Sequence, residues 1–254
     1  MKKLIVVALM LGLALAPSAA EAYWLDISAG YWNPEPTGGI AYTSPGDLTP
    51  NVSAQLDKDL GMEKEGIAQI RVKIDLPLIN FAIMSTPLKY EGTGVMTQTI
   101  KFGLETFTAS TPVTSTLDLN HTDIALFWSL PFLKTATADT LNVELGLNAR
   151  LVDVDASISA SGQYESKSVS ATIPMVYLGA QITPTDSFSI EAEYRGISTG
   201  DNEYTDVMAM LKYKPIPLFY ISGGYRSESL KLDEEGVVSD IEFKGPFAEL
   251  GFRF

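Results

Sequence analysis

The stretch "LNVELGLNARL" (141–151) decides the fold class. Successive side chains of a strand point to opposite faces. Leu141, Val143, Leu145, Leu147, Ala149 and Leu151 therefore share one face, and Asn142, Glu144, Gly146, Asn148 and Arg150 the other. These eleven residues match the ~9–11 that a tilted strand needs to cross a bilayer. The pattern recurs at 67–76, where Ala68, Ile70, Val72, Ile74 and Leu76 oppose Gln69, Arg71, Lys73 and Asp75. It recurs again at 188–195, where Phe188, Ile190, Ala192 and Tyr194 oppose Ser189, Glu191, Glu193 and Arg195.

A half-buried soluble sheet also alternates; three further features point to lipid. Aromatic residues cluster at strand ends (Tyr23, Tyr31, Phe81, Trp128, Phe132, Phe188, Tyr194, Tyr213, Phe219 and Tyr225), where interfacial girdles lie. Short connections ("PLIN", "LPFLKTATAD", "ITPTDS", "KPIP") alternate with long, polar, acidic ones, as periplasmic turns alternate with external loops. The chain finishes on "GPFAELGFRF", which places Ala248, Leu250, Phe252 and Phe254 on one face; a last strand of this form resembles the signal read by outer-membrane assembly machinery.

The fold expected is all-β: an antiparallel up-and-down transmembrane β-barrel of about ten strands. The strands fall near 23–33, 66–77, 80–101, 105–131, 138–161, 164–182, 186–199, 203–214, 217–232 and 238–254. Eight and twelve strands stay open, because residues 42–65 have room for a helical turn or an extra hairpin.

The N-terminus reads as an export signal. Lys2 and Lys3 precede an apolar run, Leu4 to Leu15, and Ala20-Glu21-Ala22 has the form of a cleavage site. The run is shorter than the ~20 residues of a spanning helix. Cleavage after Ala22 leaves Tyr23 to Phe254 as a single domain with no linker-like stretch. Cysteine is absent, which removes disulfides, thiolate metal sites and thiol nucleophiles. The net charge is −13 for the chain. Such an acidic balance argues against a nucleic-acid partner.

Segments "AGYWNPEPTG" (29–38), "LDKDLGMEKE" (56–65), "STLDLNHTDIALFW" (115–128), "IPMVYLGAQ" (173–181), "GGYRSESLKLD" (223–233) and "FKGPFAELGFRF" (243–254) resemble a proteobacterial family of outer-membrane β-barrel proteins. The resemblance spans nearly all of the mature chain. It implies the fold and the cell outer membrane of a Gram-negative bacterium, and it supplies no activity and no site residues.

Inward positions of the expected strands carry seven acids (Asp26, Asp75, Glu144, Glu191, Glu193, Glu228, Glu249) and seven bases (Arg71, Lys73, Arg150, Arg195, Lys212, Arg226, Arg253). Two readings follow: a lumen filled by paired charges, or a narrow porin-like pore whose charged rings set selectivity. The remaining acids are assigned to external loops: Asp57, Asp59, Glu63 and Glu65; Asp201, Glu203 and Asp206; Asp233, Glu234, Glu235 and Asp240. Such loops could hold divalent cations that also bridge lipopolysaccharide phosphates, although no EF-hand spacing is present and no cofactor is expected. Outer-membrane lipid, lipopolysaccharide and the barrel-assembly machinery are the expected partners, and nothing predicts oligomerisation beyond a monomer. The tip "GLETFTASTP" (103–112) is expected to extend a hairpin beyond the membrane, as a receptor surface or as a tolerated loop.

Two alternatives come from other classes. The single histidine, His121, shares a strand face with Asp123 and is placed near the external rim, the one arrangement suited to a rim hydrolase; no G-x-S-x-G or H-x-x-E-H pattern accompanies it. A soluble periplasmic lipocalin-like binding barrel also alternates, but requires apolar residues inside and polar residues outside.

Deleting Phe254 should impair assembly more than any activity. The check is cold-versus-boiled gel mobility of the refolded protein, in which a normal heat-modifiable shift for the deletion contradicts the assignment.

Overall fold

The computed structural model describes residues 24–44, 52–160, 162–234 and 236–254. The expected export signal (1–22), Tyr23, residues 45–51, Ser161 and Glu235 lie outside the described residues. The strands are β1 (Leu25–Trp32), β2 (Glu35–Thr43), β3 (Ala54–Gln55), β4 (Ile67–Asp75), β5 (Asn80–Thr86), β6 (Lys89–Val95), β7 (Ile100–Gly103), β8 (Glu105–Phe107) and β9 (Pro112–Ser129). A short helix α1 (Pro131–Ala136) precedes β10 (Leu141–Ala160), β11 (Gln163–Thr185), β12 (Phe188–Thr199), β13 (Asn202–Ile216), β14 (Phe219–Glu234) and β15 (Val237–Arg253).

The protein is a closed antiparallel barrel of ten strands. Around the ring run β1, β4, β5 continued by β6, and then β9 to β15, which returns to β1. Pro34 and Pro87 interrupt the first and third of these without shifting register. Trp32 lies opposite Phe247 and Glu35 opposite Lys244; Thr86 lies opposite His121 and Lys89 opposite Asp118. Proline removes a ladder donor, so it divides the hydrogen bonding and leaves the strand's path intact.

Closure is made at the chain ends. Trp24 N and Leu25 N donate to Phe254 O (2.8 and 3.1 Å), and Phe254 N donates back to Leu25 O (2.8 Å). Leu250 and Phe252 project outward, and the Phe252 ring lies 5.3 Å from that of Phe219. The connections β4–β5, β9–β10 with α1, β11–β12 and β13–β14 share this end of the barrel with the chain ends, the periplasmic end of the class.

Strand β10 shows how the barrel meets its surroundings. Outward positions run from Leu141 to Leu151, with Leu147 64% exposed, and continue as Asp153, Asp155, Ser157 and Ser159. Inward positions run in the opposite sense: Asn142, Glu144, Asn148 and Arg150, then Val152, Val154, Ala156, Ile158 and Ala160. Strand β9 inverts at the same height, where outward Thr114, Thr116, Asp118, Asn120 and Thr122 give way to Ile124, Leu126 and Trp128. The ten steps from Leu141 to Leu151, at ~3.3 Å each and ~40° tilt, rise about 25 Å, the height of a lipid-facing band. Exposed Trp24, Phe81, Trp128, Phe188 and Tyr213 ring its periplasmic edge, and Tyr31 and Tyr225 sit toward the external edge. A closed barrel wearing such a band is an integral outer-membrane protein. This overturns the soluble lipocalin-like alternative for the whole chain, whose polarity is found only in the external half.

The external half is a water-bathed head with an apolar core, in which Trp32, Leu56, Tyr90, Phe102, Phe107 and Phe243 are fully buried. The expected projecting tip at 103–112 is corrected here. Strands β7 and β8 form a hairpin that pairs with β2 (Tyr42 with Phe102), and Phe102 and Phe107 fill the core while Leu104 alone of its large apolar residues stays exposed. Burying two phenylalanines outweighs extending the hairpin into water. The segment after residue 51 supplies β3, which pairs with β2, and a turn that delivers Leu56 and Leu60 to the same core.

Asp59, assigned to a solvated acidic loop, is instead buried in that turn. It accepts hydrogen bonds from Gln55 N (2.8 Å), Thr97 N (2.9 Å) and Thr97 Oγ1 (2.5 Å). Burial pushes its carboxyl up, but these donors prevail and hold it below the ordinary carboxylate range.

The inversion predicts opposite responses on one strand. Leu147→Arg should destabilise folding into phospholipid vesicles by about 2–4 kcal/mol, and Asp155→Arg by less than about 0.5 kcal/mol, as read from urea titrations. Equal costs would place the lipid boundary elsewhere.

Candidate functional site

The inward charges gather into a sealed layer at mid-barrel and a vestibule beneath it. Arg150 is the hub of the layer. Its Nε and Nη2 donate to the two oxygens of Asp123 (2.9 and 2.8 Å), Nη2 also reaches Asp206 Oδ2 (2.6 Å), and Nη1 lies 3.2 Å from Glu228. Arg226 mirrors it, with Nε and Nη2 on the two oxygens of Asp206 (3.0 and 2.8 Å) and Nη2 on Glu228 (3.1 Å). Its Nη1 donates to Thr86 Oγ1 and Gln69 Oε1, and its guanidinium lies 4.4 Å over the Trp32 ring. Forked donors matched to carboxylates, with aromatic faces above them, are what let arginine be buried where lysine would not be satisfied. Tyr204 completes the layer, donating to Glu228 (2.6 Å) under the Arg150 guanidinium.

Side chains of Arg150, Asp206 and Arg226 have no exposed surface. The layer therefore spans the lumen, with the apolar core of the head directly above it.

Asp206 was assigned to an external loop and is corrected to this central position. The signal was legible: Asp206 shares its strand parity with Met208, Met210 and Lys212, all inward. The error lay in ending the strand's inward face too early.

His121 and Asp123 are brought close, as expected, but not at an external rim. Both side chains are buried in the layer. His121 Nδ1 lies 3.1 Å from Leu119 O, where it donates, which leaves Nε2 to accept from Arg226 Nη2 (3.2 Å). Asp123 is held by Arg150 and by Asn148 Nδ2 (2.6 Å). The imidazole's lone pair and the carboxylate's oxygens are occupied and sealed from both solvents, so the pair lacks the access a rim hydrolase needs.

Below the layer, Arg71 pairs with Glu193 and lies 3.5 Å from Glu249, which also accepts from Gln69 (2.7 Å). Lys73 reaches Glu144 (2.8 Å), Lys212 reaches Glu191 (3.1 Å), and Arg195 reaches Glu193 (2.6 Å). Arg253 lies 3.9 Å from Asp26, and Asp75 stands exposed at the periplasmic rim. Asp26, Arg71, Lys73, Glu191, Glu193, Arg195, Lys212 and Arg253 line a narrow cleft of about 80 Å³. The external acids Asp57, Glu63, Glu65, Asp201, Glu203, Asp233 and Asp240 are solvent-exposed or nearly so, and no metal-holding cluster of three His, Cys, Asp or Glu occurs among the described residues.

Comparison with known proteins finds no matching family model and no matching curated sequence. Among solved structures, the chain is similar to the outer-membrane protease OmpT of Escherichia coli, with 11% identity, TM-score 0.49, and coverage of 93% of this chain and 99% of that one. It is also similar to the translocator domain of the autotransporter NalP of Neisseria meningitidis (12%, TM-score 0.44, 100% and 98%) and to Ail of Yersinia pestis (11%, TM-score 0.38, 92% and 100%). At these values no residue role transfers from one barrel to another.

Removing one partner of a buried charge network strands the others. Arg150→Met should cost about 3–5 kcal/mol of folding stability, measured by urea titration in detergent micelles; a loss below about 0.5 kcal/mol, the usual surface effect, would show that the layer is hydrated.

Proposed function

We propose that this chain is a structural outer-membrane barrel that does not conduct solutes in its resting state and presents a folded external head. One observation carries the reading: the Arg150, Asp206 and Arg226 layer closes the lumen with side chains that have no exposed surface. A selective pore instead leaves its charged rings lining a hydrated path. The head's apolar core supports the same conclusion, because a solute passing upward from the layer would have to part fully buried Tyr90, Phe102 and Phe243. A hydrolase at His121 and Asp123 finds no support in a site enclosed on both sides.

Single-channel recording in a planar bilayer tests this, after gel mobility has verified folding. A silent bilayer is expected. Reproducible conductance steps from the folded protein would overturn the closed reading and reinstate a pore whose path runs past Glu191, Glu193 and Arg195.

A further inference from the structure

The upper half of β11 has a neighbour on one side only. Strand β10 pairs with it at every position from Gln163 to Ile182, whereas the β12 ladder starts at Val176 and none of the described strands pairs with that side above it. The β12–β13 hairpin turns back between Thr199 and Asn202, which the register sets level with Ile173. Parity shows which groups are left over. Thr183 N donates to Thr140 O at the foot of β10 (2.8 Å), and the register to β10 is unbroken from there, so odd-numbered residues bond to β10 and even-numbered ones face the other way. Pro174 is even-numbered and so costs β10 no bond. The N–H and C=O groups of Tyr164, Ser166, Ser168, Ser170 and Thr172 therefore form a continuous open edge.

An open edge of this length is a template for a further strand, and proteins normally blunt one with lysine, proline or a bulge. Those devices do not cover this one. Pro174 lies below the open stretch, and Lys167, its one lysine, has its ammonium 5.1 Å from the centre of the Tyr42 ring. Glu165 is held near the tip, accepting from Leu104 N (3.2 Å). What remains has a different chemistry on each face. The inner face offers Val169, 44% exposed, with Ala171 and Ile173. The outer face offers a row of hydroxyls backed by carboxylates: Ser168 donates to Asp155, and Ser170 to Asp153 (2.6 Å). Asp201 and Glu203 stand exposed on the hairpin below, with Lys231 opposite Glu203. An added strand would thus meet apolar groups with one face and acids with the other.

We infer that the β11 edge from Tyr164 to Thr172 is a docking site for an extended peptide segment of another protein, one that alternates apolar with cationic side chains. Main-chain ladder bonds to β11 supply the affinity, and the alternation supplies the selectivity. Apolar side chains of the segment cover Val169 and Ala171, and its lysines or arginines reach Asp153 and Asp155 across the serine row. The edge stands above the lipid band, so this assignment holds whether or not the lumen conducts.

The test is fluorescence anisotropy of a labelled, end-capped peptide of about ten residues, enough to span the edge, that alternates valine and lysine and is titrated with the refolded protein in maltoside micelles. Saturable one-to-one binding is expected. Thr172→Pro removes one open N–H, leaves the β10 ladder intact and should weaken binding about fivefold or more, as loss of one hydrogen bond does. Replacing the peptide's lysines by glutamate should abolish binding. Two further peptides, N-methylated on the valines or on the lysines, probe the ladder without altering the protein. One set of amides faces β11 and the other faces away, so one peptide should bind like the parent and the other should not bind. No saturable binding, both methylated peptides binding alike, or undiminished binding by the Thr172→Pro protein in its heat-modifiable form would overturn the assignment. A peptide-free dimer in sedimentation that Thr172→Pro dissolves would also overturn it, by giving the edge to a second copy.

Discussion

Each long strand of this barrel lies partly in lipid and partly in water, and almost every other feature follows from that change of solvent. In hydrocarbon, backbone groups must find partners within the protein, which demands a closed ring, and outward side chains must be apolar. Above the interface the outside is wet, so apolar side chains are driven inward by the hydrophobic effect. Strands β9 and β10 satisfy both conditions by exchanging the polarity of their two faces near Thr122 and Leu151. The polar lumen and the apolar head are thus two halves of one constraint.

The mid-barrel layer sits where these halves meet. Charges there cannot reach water upward, because the head is apolar, so they must satisfy one another. Arginine is the residue that manages this, since its planar fork can serve two carboxylates at once, as Arg150 does with Asp123 and Asp206. Burying such a network earns little net stability over an apolar filling, but it fixes one arrangement of the strands and makes partial loss expensive. Below it the demand relaxes, and Lys73, Lys212 and Lys214 join Arg71, Arg195 and Arg253 where the periplasm is near.

The head shows how little a long loop needs in order to become structure. The β7–β8 hairpin and the turn carrying Leu56, Asp59 and Leu60 add few ladder bonds, yet they supply the side chains that close the top of the core. Asp59 sits there as a buried acceptor that ties this turn to Thr97. An aspartate preceded by Asp57 and Lys58 reads as surface in one dimension; only the fold reveals that those two turn outward while Asp59 turns in with Leu60.

The ten-strand barrel, its orientation, the lipid band and the closing role of the last strand were legible in the sequence, because period-two alternation and turn length are local properties of the chain. The inward face of Arg71, Glu144, Arg150, Glu193 and Arg195 was legible for the same reason. Height along the barrel axis and pairing across the lumen were not. Placing His121 inside rather than at the rim, or Asp206 at the hub rather than in a loop, depends on which residues from strands distant in sequence meet at one level. That is set by register around a closed ring and by the solvent on either side of it, which only the tertiary structure decides.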